Sequence, residues 1–210
     1  MAQIPGQVWT AIDFVDLGPR AAVDLALHRL LVDKQIRRIA RGLYDRPRIN
    51  QLTGKPSYPD YREVIDALAR RDKARIVVDG LTAANDLRLT DAVPARARVL
   101  TDARLKPIKL ANLNIEFQRV SPDRLYWAGR PAMRVVQALH WLRDTLPTDK
   151  DRIFKRLLVV LRDPNHGKAI ENDLRSGLPV LPEWLQGVVR ELLAQADTHH
   201  DRVHATKEQS

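Results

Sequence analysis

Apolar residues recur at helical spacing through residues 20–31, where Val23, Ala26, Leu27, Leu30 and Leu31 share one face. Just upstream, Thr10 is placed to cap a two-turn helix over residues 11–17. Gly18 then stops that helix and Pro19 suits the start of the next. Residues 36–40 and 43–45 flank Arg41-Gly42, a pattern that predicts a short basic β-hairpin. Helix, turn, helix, hairpin is the element order of a winged helix-turn-helix. Residues 50–59 are polar and hold Gly54, Pro56 and Pro59, which predicts a loop or linker.

Beyond that loop the pattern changes. Residues 60–71 predict a helix burying Tyr61, Val64, Ile65 and Leu68, followed by a strand at 75–78 and a short helix at 81–87. A strand at 96–101 and a hairpin over 107–120, turning at Asn112-Leu113-Asn114, come next. The remainder is helical, in segments 131–146, 151–162, 164–176 and 182–194, with a polar, frayed tail after them. The expected fold class is α+β and mostly helical. It divides into a winged helix-turn-helix over 1–50, a mixed α/β domain over 56–146, a helical extension over 147–195 and a polar tail over 196–210.

Composition narrows the function. The chain of 210 residues carries 35 Lys and Arg against 26 Asp and Glu, a net charge of +9 that favours polyanionic partners. It has no cysteine, which excludes disulfides, thiol catalysis and Cys-ligated metals. No apolar run approaches the roughly 18 residues of a membrane span, and the first residues lack the features of a secretory signal. The expectation is a soluble cytoplasmic protein.

The charge is densest where the hairpin is expected: five arginines against one acid, Asp45, between Arg37 and Arg48. A helix-turn-helix reads DNA with its second helix in the major groove. With the apolar stripe inward, that helix presents Arg20, Ala21, Asp24 and His28. Arg20 suits a guanine edge or a phosphate, and Ala21 permits close approach to a thymine methyl. Arg37, Arg38 and Arg41 would lie along phosphates or enter a minor groove. The expected partner is therefore double-stranded DNA, with no cofactor, metal site or catalytic residue.

Other groupings are weaker. His199, His200 and His204 are close in sequence but sit in the polar tail, and Asn165-His166-Gly167-Lys168 lacks the spacing of a phosphate loop. Asp79, Asp86, Asp91, Asp102 and Glu116 show no diagnostic metal spacing and read as caps and solvated groups. The alternatives to a DNA-binding regulator are a metal-dependent nucleic-acid enzyme carrying a winged-helix targeting domain, and an RNA-binding module. The latter would need exposed aromatics on a sheet.

Several segments together resemble the AbiEi-type antitoxins. They are Val8-Trp9-Thr10, Asp13-Phe14, Leu17-Gly18, the stretch from Ile36 through Arg37-Arg38 to Arg41-Gly42-Leu43-Tyr44, and Asp79-Gly80-Leu81-Thr82-Ala83-Ala84-Asn85-Asp86 with Val93-Pro94-Ala95. The resemblance implies a type IV toxin–antitoxin antitoxin. Such a protein represses its own promoter at inverted repeats and counters a nucleotidyltransferase-like toxin, with Arg20, Arg37, Arg38 and Arg41 at the DNA. Two departures stand out. Few residues precede Val8, so the three-helix core is expected to be completed from elsewhere in the chain, for instance by a C-terminal helix. Leu87-Arg88-Leu89 stands where the family pattern has leucine-glycine-leucine.

Overall fold

The computed structural model describes residues 6–92 and 95–207. The fold is α+β, with two small sheets and a helical C-terminal half. The chain divides into two compact units, each assembled from two stretches. The first contains residues 1–76 and 95–125, the second 77–94 and 126–210. The segment expected as a winged helix thus lies within the first unit, while residues 56–146 are shared between both.

The first unit opens with strand β1 (Val8–Trp9), a 3-10 helix (Ala11–Leu17) and helix α1 (Arg20–Val32). The expected two-turn α-helix at 11–17 is wound as a 3-10 helix. Asp13 fixes its start: its carboxylate accepts from the Thr10 backbone N–H at 2.7 Å and the Thr10 hydroxyl at 3.1 Å. Ala11, Val23, Leu27 and Ile36 form a buried cluster, with Phe14, Leu30, Leu31 and Tyr44 packed against it. Ala26 departs from the expected stripe and is exposed. A methyl group offers little burial energy, and Val23 and Leu27 already fill that side.

Strands β2 (Arg37–Ala40) and β3 (Leu43–Asp45) form the expected hairpin, and β1 joins as a third strand in the order β1-β3-β2. Gly42, at the two-residue turn, has φ +71°, a conformation glycine adopts without steric cost. Successive strand side chains face opposite ways. Tyr44 joins the α1 cluster, so Leu43 and Asp45 face the other side and are fully buried. Helix α2 (Tyr61–Asp72) packs against β1 and β3 and buries Val64, Ile65, Ala67 and Leu68. Tyr61 is only half-buried.

Strand β4 (Ile76–Val78) carries the chain from the first unit into the second. Within the first unit, β5 (Arg96–Thr101) runs parallel to β7 (Leu113–Arg119), which pairs antiparallel with β6 (Ile108–Leu110). Burial alternates along β5, with Ala97, Val99 and Thr101 inward. The β6–β7 turn comes earlier than expected: Leu113 and Asn114 already pair in the ladder, and Ala111 takes φ +54°.

The second unit is helical. Helix α3 (Gly80–Asp86) packs on α4 (Met133–Trp141). A Cβ on Gly80 would lie 2.5 Å from the Cβ of Trp141 and 2.7 Å from the Gln137 carbonyl oxygen, so only glycine permits this approach. Helix α4 is shorter than expected. A turn follows Leu142, and α5 (Leu146–Leu161) begins with Pro147 in its first turn. Helices α6 (Gly167–Gly177) and α7 (Glu183–Lys207) complete the unit. Fully buried Ile153, Leu157, Leu174, Leu185 and Leu192 form its centre. The frayed tail expected from residue 196 is instead the last part of α7. Neither proline nor glycine interrupts residues 188–207, and Ala196 is buried.

Candidate nucleic-acid interface

The two units differ most in charge. The first holds 21 Lys and Arg against 12 Asp and Glu, and the second 14 against 14. The whole net charge of +9 therefore belongs to the first unit.

Arg20, Ala21, Asp24 and His28 are all exposed on α1, because Val23 and Leu27 turn the opposite face inward. Arg20 Nε donates to Asp24 Oδ2 at 2.9 Å, with 64% and 52% of the two side chains exposed. An exposed pair four residues apart contributes only about 0.3–0.5 kcal/mol, so a better acceptor displaces Asp24 at small cost.

The hairpin arginines divide into two kinds. Arg38 and Arg41 have exposed side chains. Arg37 is instead half-buried. It stands directly across the ladder from Asp45, to which it donates two hydrogen bonds of 2.9 and 2.6 Å. It donates a third to the Ser57 carbonyl at 2.9 Å and stacks over the Tyr58 ring at 4.7 Å. Asp45 occupies a buried strand position, where an unpaired carboxylate would be costly. Arg37 therefore neutralises it, and the hydrogen bonds it donates to Asp45 raise the guanidinium's pKa above its ordinary value. Its Nε and one terminal nitrogen are thereby engaged within the fold.

Tertiary structure adds cations that the sequence pattern did not single out. Arg20 and Arg41 line one cleft of about 680 Å³ together with Arg71, Arg104 and Lys106, and Asp72 is the single acid among its lining residues. Arg71, at the end of α2, donates to the Arg41 carbonyl at 2.7 Å and pairs with Asp72 at 2.7 Å, bracing the hairpin tip. Its neighbour Arg70 donates to the Val8 carbonyl at 3.1 Å and to Asp13 at 3.0 Å. In the sequence, Arg70-Arg71 read as ordinary last-turn cations of a helix. Arg104 and Lys106 fall between two predicted strands, and nothing in their spacing marks them. Asp13 is drawn in two directions: burial pushes its carboxyl up, but hydrogen bonds from Arg70 and Thr10 prevail and hold it below the ordinary value of 3.8.

The middle-region carboxylates are dispersed. Asp79 caps α3 by accepting from the Thr82 N–H, Asp86 pairs with Arg134, Asp102 with Arg75 and Glu116 with Arg96. Asp91 is exposed. Among the described residues no group of three or more His, Asp or Glu converges as a metal site requires. The side chains of His199, His200 and His204, and all of Val93 and Pro94, lie outside the described residues.

The profile of a family of unknown function, DUF6088, matches residues 2–166. The chain belongs to that family. The matched region covers all but the first residue of the first unit and ends just before α6, so α6 and α7 lie beyond it. The comparison with curated proteins gave no match. Among the described residues no helix is long and apolar enough to cross a membrane.

Proposed function

We propose that the chain is a sequence-specific double-stranded DNA-binding protein that uses a winged helix-turn-helix in its first unit. The observation that carries this reading is the confinement of the net charge to the unit in which α1 and the hairpin expose Arg20, Arg38 and Arg41. The strand order β1-β3-β2, with two helical segments between the first two strands, supports the winged helix. Helix α1 enters the major groove with Arg20, Ala21, Asp24 and His28, while Arg38 and Arg41 hold phosphate or minor groove. Arg37 holds the hairpin together and makes no DNA contact.

The biological role we propose is that of a type IV antitoxin and autorepressor countering a nucleotidyltransferase-like toxin. This rests on the resemblance of the N-terminal and Asp79-Gly80-Leu81-Thr82 segments to AbiEi-type antitoxins. Anisotropy titrations of the full chain should compare a duplex from its own upstream region with a scrambled duplex at 50 to 200 mM salt. The upstream duplex should bind at least about 10³-fold tighter, and log K should fall linearly with log salt. Equal affinity for both duplexes would remove sequence specificity from the proposal. Coexpression with the toxin encoded beside its gene tests the antitoxin role, and unrelieved growth arrest would exclude it.

A further inference from the structure

The cleft holding Arg20 and Arg41 also gathers Arg71 from α2, and Arg104 and Lys106 from the β5–β6 loop. Those last two are exposed and come from a part of the chain distant from the helix-turn-helix in sequence. We propose that this cleft seats a sugar–phosphate strand of DNA, with Arg104 and Lys106 as direct phosphate contacts. The inference rests on the DNA-binding reading above and extends the interface beyond helix and wing.

The geometry argues for a strand over a compact ligand. A winged helix places its second helix in the major groove and its hairpin at the neighbouring minor groove. One phosphate backbone separates two adjacent grooves, so it passes between helix and hairpin. Arg20, first residue of α1, and Arg41, at the hairpin turn, both line the cleft, so helix and hairpin each border it. Arg71 is tied to Asp72 and the Arg41 carbonyl, so it braces the site. Arg104 and Lys106 remain to meet the phosphates. Five cations with one carboxylate suit a polyanion.

The test compares the full chain with R104A/K106A, and with K55A/R124A as an equal-charge control. Lys55 and Arg124 belong to the same unit but do not line the cleft. Circular dichroism verifies that each variant is folded, which exposed positions favour. In the upstream and scrambled duplexes alike, R104A/K106A should weaken binding about tenfold at 150 mM salt. It should also flatten the salt slope by about 2, because each lost phosphate contact removes close to one unit. The control should stay within about twofold of wild type. Equal behaviour of the two double variants would overturn the cleft assignment while leaving the DNA-binding reading intact. Absence of duplex binding by the wild-type chain would overturn both. Calorimetry with ATP as probe addresses the other occupant: binding lost in R104A/K106A, with duplex affinity unmoved, would make the cleft a small-anion site and reject the strand.

Discussion

Arginine does different work in the two units. In the second, several arginines are ties: Arg130 bonds Asp173, Arg134 bonds Asp86, and Arg175 bonds Asp197. Arg152 and Arg156, both on α5, donate to the backbone carbonyls of Leu89 and Leu87. That unit holds 14 cations and 14 acids. The first unit has ties as well, in Arg37, Arg70 and Arg71, but Arg38, Arg41, Arg104 and Lys106 stand out at its surface. Composition alone counts all these residues equally. Their partners decide which act on the fold and which remain for a ligand.

The largest effect expected separates two adjacent residues. Arg37→Ala strands the buried Asp45 carboxylate and should destabilise the protein by about 3 kcal/mol, read from thermal or denaturant unfolding. Arg38→Ala should leave stability within about 0.5 kcal/mol. If both variants unfold like wild type, the division between tie and surface charge fails at its clearest point.

A somewhat smaller effect contrasts the units directly. R38A/R41A should flatten the salt dependence of duplex binding by about 2 and weaken binding roughly tenfold at moderate salt. K155A/R162A, which alters two exposed cations of the second unit, should bind duplex like wild type. Matching losses would mean that the neutral unit shares the interface.

Asp13→Asn should cost about 1 to 2 kcal/mol, since it weakens both the cap at Thr10 and the bond to Arg70. The sign of its pH dependence is set by the lowered pKa. The carboxylate's contribution is complete well above the ordinary value of 3.8 and is lost as pH falls through the lower folded value. The gap between wild type and variant should therefore close in acid. A gap that does not narrow as pH falls below 3.8 would show that the carboxylate's charge is not what stabilises this corner.

The smallest effect lies in the second unit and has the opposite sign. Arg88 adopts φ +56° with an exposed side chain, between the two carbonyls that Arg152 and Arg156 hold. Arg88→Gly should relieve that backbone strain and stabilise by about 0.5 kcal/mol, the glycine's extra unfolded-state entropy offsetting part of the gain. No gain, or a loss, would show that the arginine side chain contributes more than the strain costs.

The local elements were legible because each rests on neighbours in sequence. Helix α1, the Arg41-Gly42 hairpin, α2 and β5 lie within a residue or two of where periodicity and turn residues put them. Places where local signals were weak went otherwise. The segment at 11–17 wound as a 3-10 helix, the 131–146 helix broke after Leu142, and α7 ran on through the tail.

The sequence by itself determined the surplus of nine positive charges, the apolar face of α1 and the glycine turn of the hairpin, since these depend on composition and on residues a few positions apart. Tertiary structure alone decided which arginines are committed. Pairing Arg37 with Asp45 needs the strand register, and whether a strand position is buried depends on what packs over it. Gathering Arg20, Arg41, Arg71, Arg104 and Lys106 around one cleft needs chain segments more than 80 residues apart to meet. No local pattern encodes that meeting, because the burial that drives it belongs to the assembled core.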